Sequence, residues 1–227
     1  MDKPKVIARP VDIKGKTGLD ILVADPNASV ADYLSAVDGF ISRAPVERSR
    51  SQGSPCCLGC YACCQERIPL TSIDYDRLFT HHLAKAEEQP WRRFLDKISL
   101  ISVKGRQVDI TMRLDQEGLC IYLDRNKGLC SIYPIRPLVC RTYICAPLSK
   151  NAMDLRELVV NLGEDELVRL WLEDAAQVKE IPAYHEGDQP DLRIEDWGES
   201  PFSGKKDYRD VLLKDLCTPG LWNRLSL

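Results

Sequence analysis

The chain predicts an α+β fold: a small single domain of short antiparallel strands and several helices. Three observations carry that expectation. Apolar residues recur at helical spacing in several stretches, and short alternating runs flank tight-turn signals at Lys104-Gly105-Arg106 and Asp124–Gly128. The third is a set of eight cysteines in two groups, Cys57, Cys60, Cys63 and Cys64, then Cys120, Cys130, Cys140 and Cys145. Such grouping asks for a fold that gathers distant segments at one place.

Taken in order, the apolar run Ile21–Ala24 ending at Asp25-Pro26 predicts a strand and a turn. Ser29, with Asp32 three residues on, has the form of a capping box, and Val30, Tyr33, Leu34, Val37, Phe40 and Ile41 then share one helical face. Residues 43–55, rich in Ser, Arg, Gly and Pro, read as a polar loop leading to the first cysteine group. A helix capped by Thr71 or Ser72 follows, with Tyr75, Leu78, Phe79 and Leu83 inward, and a second from near Pro90 turns Trp91, Phe94, Leu95 and Ile98 inward. Residues 99–114 read as a hairpin. Cys120–Leu123 and Cys130–Tyr133 read as two further strands, joined by the DRNKG turn so that Cys120 and Cys130 take neighbouring strand positions.

Residues 155–160 fit helix and strand alike, whereas Glu164–Glu180, with Leu167, Leu170, Trp171 and Val178 on one side, predicts a helix. Residues 181–204 are acidic and rich in Pro and Gly, as an irregular surface segment would be, and a last helix is expected from Lys206 to Leu216. The sequence thus divides into an N-terminal strand and helix (1–45), a cysteine-cluster core (46–150) and a C-terminal helical extension (151–227), all within one compact domain.

A chain of 227 residues with 44% hydrophobic composition is long enough to bury one sizeable core. Lys and Arg number 31 against 34 Asp and Glu, without a long basic run, which argues against a nucleic-acid partner. No run has transmembrane length and the first residues alternate charge with proline, so the expected setting is the cytoplasm, with no membrane partner. There, structural disulfides are disfavoured, and grouped cysteines point to metal or to thiol chemistry.

Thiolates are soft donors that select zinc, iron or iron–sulfur clusters over magnesium and calcium. Cys57, Cys60 and Cys63 repeat the two-residue spacing that lets neighbouring sulfurs face one ion, and this spacing also opens the bacterial ferredoxin-type motif. Cys64 directly follows Cys63, and adjacent side chains on a regular backbone diverge. A four-ligand site therefore has to recruit at least one remote sulfur, for which Cys120, Cys130 and Cys140 are the obvious donors. Zinc and iron, including a [4Fe–4S] cluster, remain open on this count. Cys56 and Cys217 fall outside the spacing.

CLGCYACC, followed by IPLTSIDYDRL and by CIYLDRNKGLCSIYPIRPLVCRTY, resembles the YkgJ-type cysteine-cluster family of zinc- or iron-chelating domain proteins. The likeness covers Cys57 to Tyr143 and includes the Ile132-Tyr133, Arg136-Pro137 and Cys140-Arg141 elements. Tyr61, Cys56 and Cys145 depart from the pattern. The resemblance implies metal binding in a small α+β domain.

Arg136 and Arg141 are candidate companions of the centre, donating to sulfur or pairing with a carboxylate to balance thiolate charge. Pro137 is placed to start a short helix that aims Cys140. His81 and His82 point about 100° apart on a helix and cannot share one ion from that face; His185, in the acidic segment, reads as solvated, and the four tryptophans read as core. Two functions remain in view. One is a metalloprotein whose cluster serves electron transfer or metal-dependent catalysis on a protein or small-molecule partner; the other is a zinc-stapled, non-enzymatic adaptor. A thiol oxidoreductase built on Cys63-Cys64 is disfavoured, because a disulfide between neighbours is strained.

Overall fold

The computed structural model describes residues 3–43, 61–83, 91–179 and 182–227. The chain opens with a hairpin, β1 (Val6–Ile13) and β2 (Lys16–Val23), in antiparallel register from Val6↔Val23 to Ile13↔Lys16. Lys14 and Gly15 both take positive φ, 54° and 77°, the two-residue turn that matches the twist of such strands. The apolar run read as a lone strand is thus the second arm of a hairpin. Pro10 interrupts the alternation of β1, and an edge strand tolerates it.

On the inner face of β2, Leu19, Ile21 and Val23 are buried, and Asp20, which alternates to the other face, is buried too. Asp20 accepts hydrogen bonds from Arg9 Nε and Nη2 at 3.0 and 2.9 Å and from Ser149 Oγ at 2.6 Å. Helix α1 (Val30–Arg43) starts in the expected capping box: Ser29 N–H and Oγ both donate to Asp32 Oδ2 at 2.8 Å. Its inward stripe of Val30, Tyr33, Leu34, Val37 and Phe40 is buried, with Ile41 packed against the core.

Helix α2 (Ser72–Leu83) is capped by Thr71, whose Oγ1 accepts from Asp74 N–H at 3.1 Å. Helix α3 (Trp91–Ile98) buries Phe94, Leu95 and Ile98. The two helices meet through aromatic rings, Tyr75 with Trp91 at 4.8 Å and Phe79 with Phe94 at 5.4 Å between centroids. The Leu83 side chain and Pro90 lie outside the described residues, as do residues 44–55 of the expected polar loop.

Strands β3 (Ser99–Lys104) and β4 (Gln107–Met112) form the predicted hairpin across Gly105 and Arg106. A short strand, β7 (Glu186–Asp188), pairs with β3 in parallel, so the segment expected to be irregular contributes to a three-stranded sheet. Gly187 makes this possible: at φ 109° a Cβ there would stand 1.6 Å from the Val103 carbonyl oxygen. His185 is exposed as expected, yet held in place, its Nδ1 accepting from Ile101 N–H at 3.0 Å and its Nε2 lying 2.8 Å from Asp96. Phe202, from the same segment, is fully buried.

The spine of the molecule is α5 (Lys150–Gln177), 28 residues long, capped by Ser149 Oγ accepting from Ala152 N–H at 3.1 Å. Residues 155–160 are therefore helical, and the predicted start at Glu164 is too late. The signal that misleads is Gly163, which is a packing residue and not a terminator: a Cβ there would lie 2.6 Å from Thr71 Cγ2. Leu167 and Trp171 are buried as expected, Leu170 is half-buried, and Val178 is exposed beyond the helix end.

The single helix expected over Lys206–Leu216 is replaced by a 3-10 turn (Tyr208–Asp210) and the short helix α6 (Leu213–Leu216), with α7 (Pro219–Leu225) beyond. Backbone pairing with the N-terminal half breaks the helix, because Val30 N–H donates to Val211 O at 2.9 Å and Leu213 N–H to Ala28 O at 2.9 Å. No helix among the described residues is long and apolar enough to cross a membrane.

Candidate metal centre

Three separate segments deliver the described cysteines. Cys63 and Cys64 sit in a 3-10 turn (Ala62–Gln65) closed by Cys64 N–H donating to Tyr61 O at 2.9 Å. Within this turn the Cys63 thiol lies near enough to Cys64 to hold the proton on the Cys64 sulfur. Cys120 joins the same place through its N–H, which donates to Cys64 O at 2.7 Å.

Strands β5 (Leu123–Asp124) and β6 (Leu129–Cys130) are shorter than expected, two residues each, and Cys130 pairs with Leu123 rather than standing beside Cys120. The ladder stops because each end is taken up by a turn. Asp124 Oδ1 accepts from Asn126 and Lys127 N–H at 3.1 and 3.2 Å, and Leu123 N–H donates to Cys120 O at 2.9 Å. Cys140 comes from helix α4 (Leu138–Thr142), which begins directly after Pro137 as predicted.

The electrostatics tie these pieces together. The Cys64 thiol is pushed well above its ordinary value, first by the Cys63 hydrogen bond, then by burial and the charges of Cys63, Cys120 and Cys130. Burial raises Cys120 to about 11 against a backbone hydrogen bond from Tyr122, with Cys130, Cys63 and Asp115 adding to the rise. Cys130 rises by burial, opposed by the Ile132 N–H and by Arg136. Cys140 rises well above the ordinary thiol range by burial and by Cys63, Cys120, Asp74 and Cys130. Five thiols from three segments thus feel one another's charge. Cys145 is half-buried; Cys217 is raised to about 11 by burial alone.

Arg136 and Arg141 converge on one carboxylate. Arg141 Nη2 lies 2.6 Å from Asp38 Oδ2 and Arg136 Nη2 3.4 Å from Asp38 Oδ1, so α1 is clamped to the cysteine segment. Arg136 also covers the Tyr133 ring at 4.2 Å. His82 Nε2 is 3.0 Å from the hydroxyl of Tyr122, a buried side chain between Cys120 and Cys130 in sequence. Sequence reasoning missed Asp38, Tyr122 and Asp74. Asp38 carries no local signal, since its partners lie about a hundred residues away, whereas Asp74 is visible as the second half of a Thr71-x-x-Asp74 capping box.

Among the described residues, no group of three or more His, Cys, Asp and Glu is placed to hold a metal ion. Cys56, Cys57 and Cys60 lie outside them. The donor chemistry nevertheless fits a thiophilic cation. The described thiols are crowded and pushed toward their neutral form, and a bound soft cation reverses that balance by stabilising each thiolate outright.

An α+β frame presenting mutually coupled thiols from three chain segments defines a cysteine-cluster domain. Residues 56–159, a little under half of the chain, match the model of the family described as "CxxCxxCC: Putative zinc- or iron-chelating domain". No curated protein and no solved structure matches the chain.

Proposed function

We propose that Cys57, Cys60, Cys63 and Cys64, with Cys120, Cys130, Cys140 and Cys145, are the thiolate ligands of bound zinc or iron, and that the protein works through that centre in the cytoplasm. The observation that carries this reading is that Cys120, through its N–H to Cys64 O at 2.7 Å, joins the turn that holds Cys63 and Cys64, with Cys130 and Cys140 near enough for their charges to raise or be raised by these thiols. Five thiols exceed one tetrahedral set, which leaves donors for a second ion or a cluster. Sulfur-only donors favour iron–sulfur, and such a cluster supplies one-electron redox chemistry when bound. Arg136 and Arg141, held on Asp38, offset the negative charge that several thiolates accumulate. The partner is a protein or small molecule, without nucleic acid or membrane.

A second reading, a zinc-stapled adaptor, is favoured by one feature. Tyr61, Ile121, Leu129 and Tyr133 are exposed large apolar side chains, each within three residues of a described cysteine. Purification without oxygen, followed by the visible spectrum and assays for iron, zinc and acid-labile sulfide, separates the two. A brown protein with sulfide supports the redox reading, and colourless protein with stoichiometric zinc supports the adaptor. Cys60→Ser with Cys130→Ser is expected to abolish metal retention, and unchanged metal per folded molecule would overturn both readings.

A further inference from the structure

We propose that Asp74 is the positioning residue of this centre: it fixes the pose of α4, and with it Cys140, by joining the head of that helix to the C-terminal segment. The inference rests on the reading of Cys140 as a metal ligand.

Asp74 and Thr71 are almost wholly buried, as is Tyr208. On one side, Asp74 does the ordinary work of a capping box, Oδ2 accepting from Thr71 N–H at 3.2 Å. Its other oxygen has no local duty. Oδ1 accepts from Leu138 N–H at 2.9 Å and from the Tyr208 hydroxyl at 2.7 Å, groups 64 and 134 residues away. The Tyr208 hydroxyl also lies 2.6 Å from Thr71 Oγ1, so the cluster is closed and every member has a partner. A buried polar group left without a partner is costly, which makes such a knot hard to rearrange.

Helix α4 depends on it. Five residues are far too few to hold a helix by internal hydrogen bonding, and Pro137 offers no side-chain cap. Its pose therefore comes from outside ties: Leu138 to Asp74 at the start and Arg141 to Asp38 at the end. Cys140 lies between these two anchors. The C-terminal segment, through Tyr208, is part of the scaffold of the cysteine site although it lies about seventy residues beyond it in sequence.

The test is a cobalt(II) titration of the full chain after metal removal, following the thiolate-to-cobalt charge-transfer absorption, with Cys140→Ser as the reference for one lost sulfur. Asp74→Ala is expected to bind cobalt on the order of tenfold more weakly, with its band reduced to the Cys140→Ser level. Asp74→Asn, which keeps an acceptor for Leu138 N–H, is expected to restore most of that intensity. A general loss of stability would lower the melting temperature without changing the band per folded molecule, so a folded Asp74→Ala variant with wild-type band and affinity overturns the proposal. If Asp74→Ala does not fold, Tyr208→Phe decides: a weakened band supports the proposal and a wild-type one overturns it. A wild-type chain with no thiolate band removes the ligand reading itself, and this inference with it.

Discussion

The frame of β1, β2, α1 and α5 and the lobe of β5, β6 and α4 hold themselves together by different means. In the frame the β1–β2 ladder runs for eight residue pairs, and Ile21, Leu34, Val37, Leu155 and Val159 are fully enclosed. In the lobe the β5–β6 ladder runs for two pairs, the cysteines are half-buried, and Tyr133 is more than half exposed. Enclosing one large aliphatic side chain stabilises by roughly 1.5–3 kcal/mol. The frame has many such side chains, whereas the lobe has few, chiefly Leu138 and Val139, and its half-buried thiols are left neutral and weakly held by packing alone. The contrast teaches that the lobe needs a cross-link that the frame does not.

The largest effect should come from removing that cross-link. In zinc-binding peptides the metal contributes on the order of 10 kcal/mol in apparent terms. Chelation is therefore expected to raise amide exchange steeply across residues 120–142 while 150–177 stay protected; equal protection in both, with and without chelator, would erase the contrast.

A smaller effect tests the joint between the two regions. Gly163→Ala places a methyl group 2.6 Å from Thr71 Cγ2, against a buried β-branched side chain tied to Asp74 and Tyr208. Ala is the better helix former by about 1 kcal/mol, yet overpacking here should outweigh that and leave a net loss of about 1–2 kcal/mol. Denaturant unfolding measures it, and a stabilised variant would show that the joint is loose.

A further effect, comparable in size, lies in the frame and depends on pH. Glu164 accepts Ile110 N–H at 2.8 Å, and burial, with help from Asp109 and Asp165, raises its pKa to about 7. Between roughly pH 4.5 and 7 the folded chain keeps a proton that the unfolded chain has released, so stability falls as pH rises through that window and levels off above it. The decline attributable to this group is about 2 kcal/mol after discounting for partial solvent access. Glu164→Gln should lose this component, read as a smaller difference between unfolding midpoints at pH 5 and pH 8. An unaltered difference would assign the decline to other carboxyls such as Asp74 and Asp165, which burial also raises.

The fold was legible wherever pattern is local. The capping box at Ser29, the α1 stripe, the Gly105 turn and the Pro137 helix start all follow from interactions within a few residues. What escaped was set at a distance. The tail breaks into short pieces because Val211 and Leu213 pair with the N-terminal half, β7 exists because Gly187 lets two backbones approach, and α5 runs through Gly163 because Thr71 needs the space. At the cysteine site the motif named the candidate donors, and the structure added Asp38 as the shared partner of Arg136 and Arg141. No periodicity announces a carboxylate that serves residues a hundred positions away.

The length of α5 has a practical corollary. The family segment ends at residue 159, and the helix runs from Lys150 to Gln177, so cutting the chain there would sever α5 near its first third. Val160, Leu167, Val168, Trp171 and Leu172 would be stripped from the interior, and Tyr208 would go with them. The stretch recognisable by its cysteines is therefore not a portable module, and grafting it elsewhere would mean carrying the full spine and the tail that closes over it.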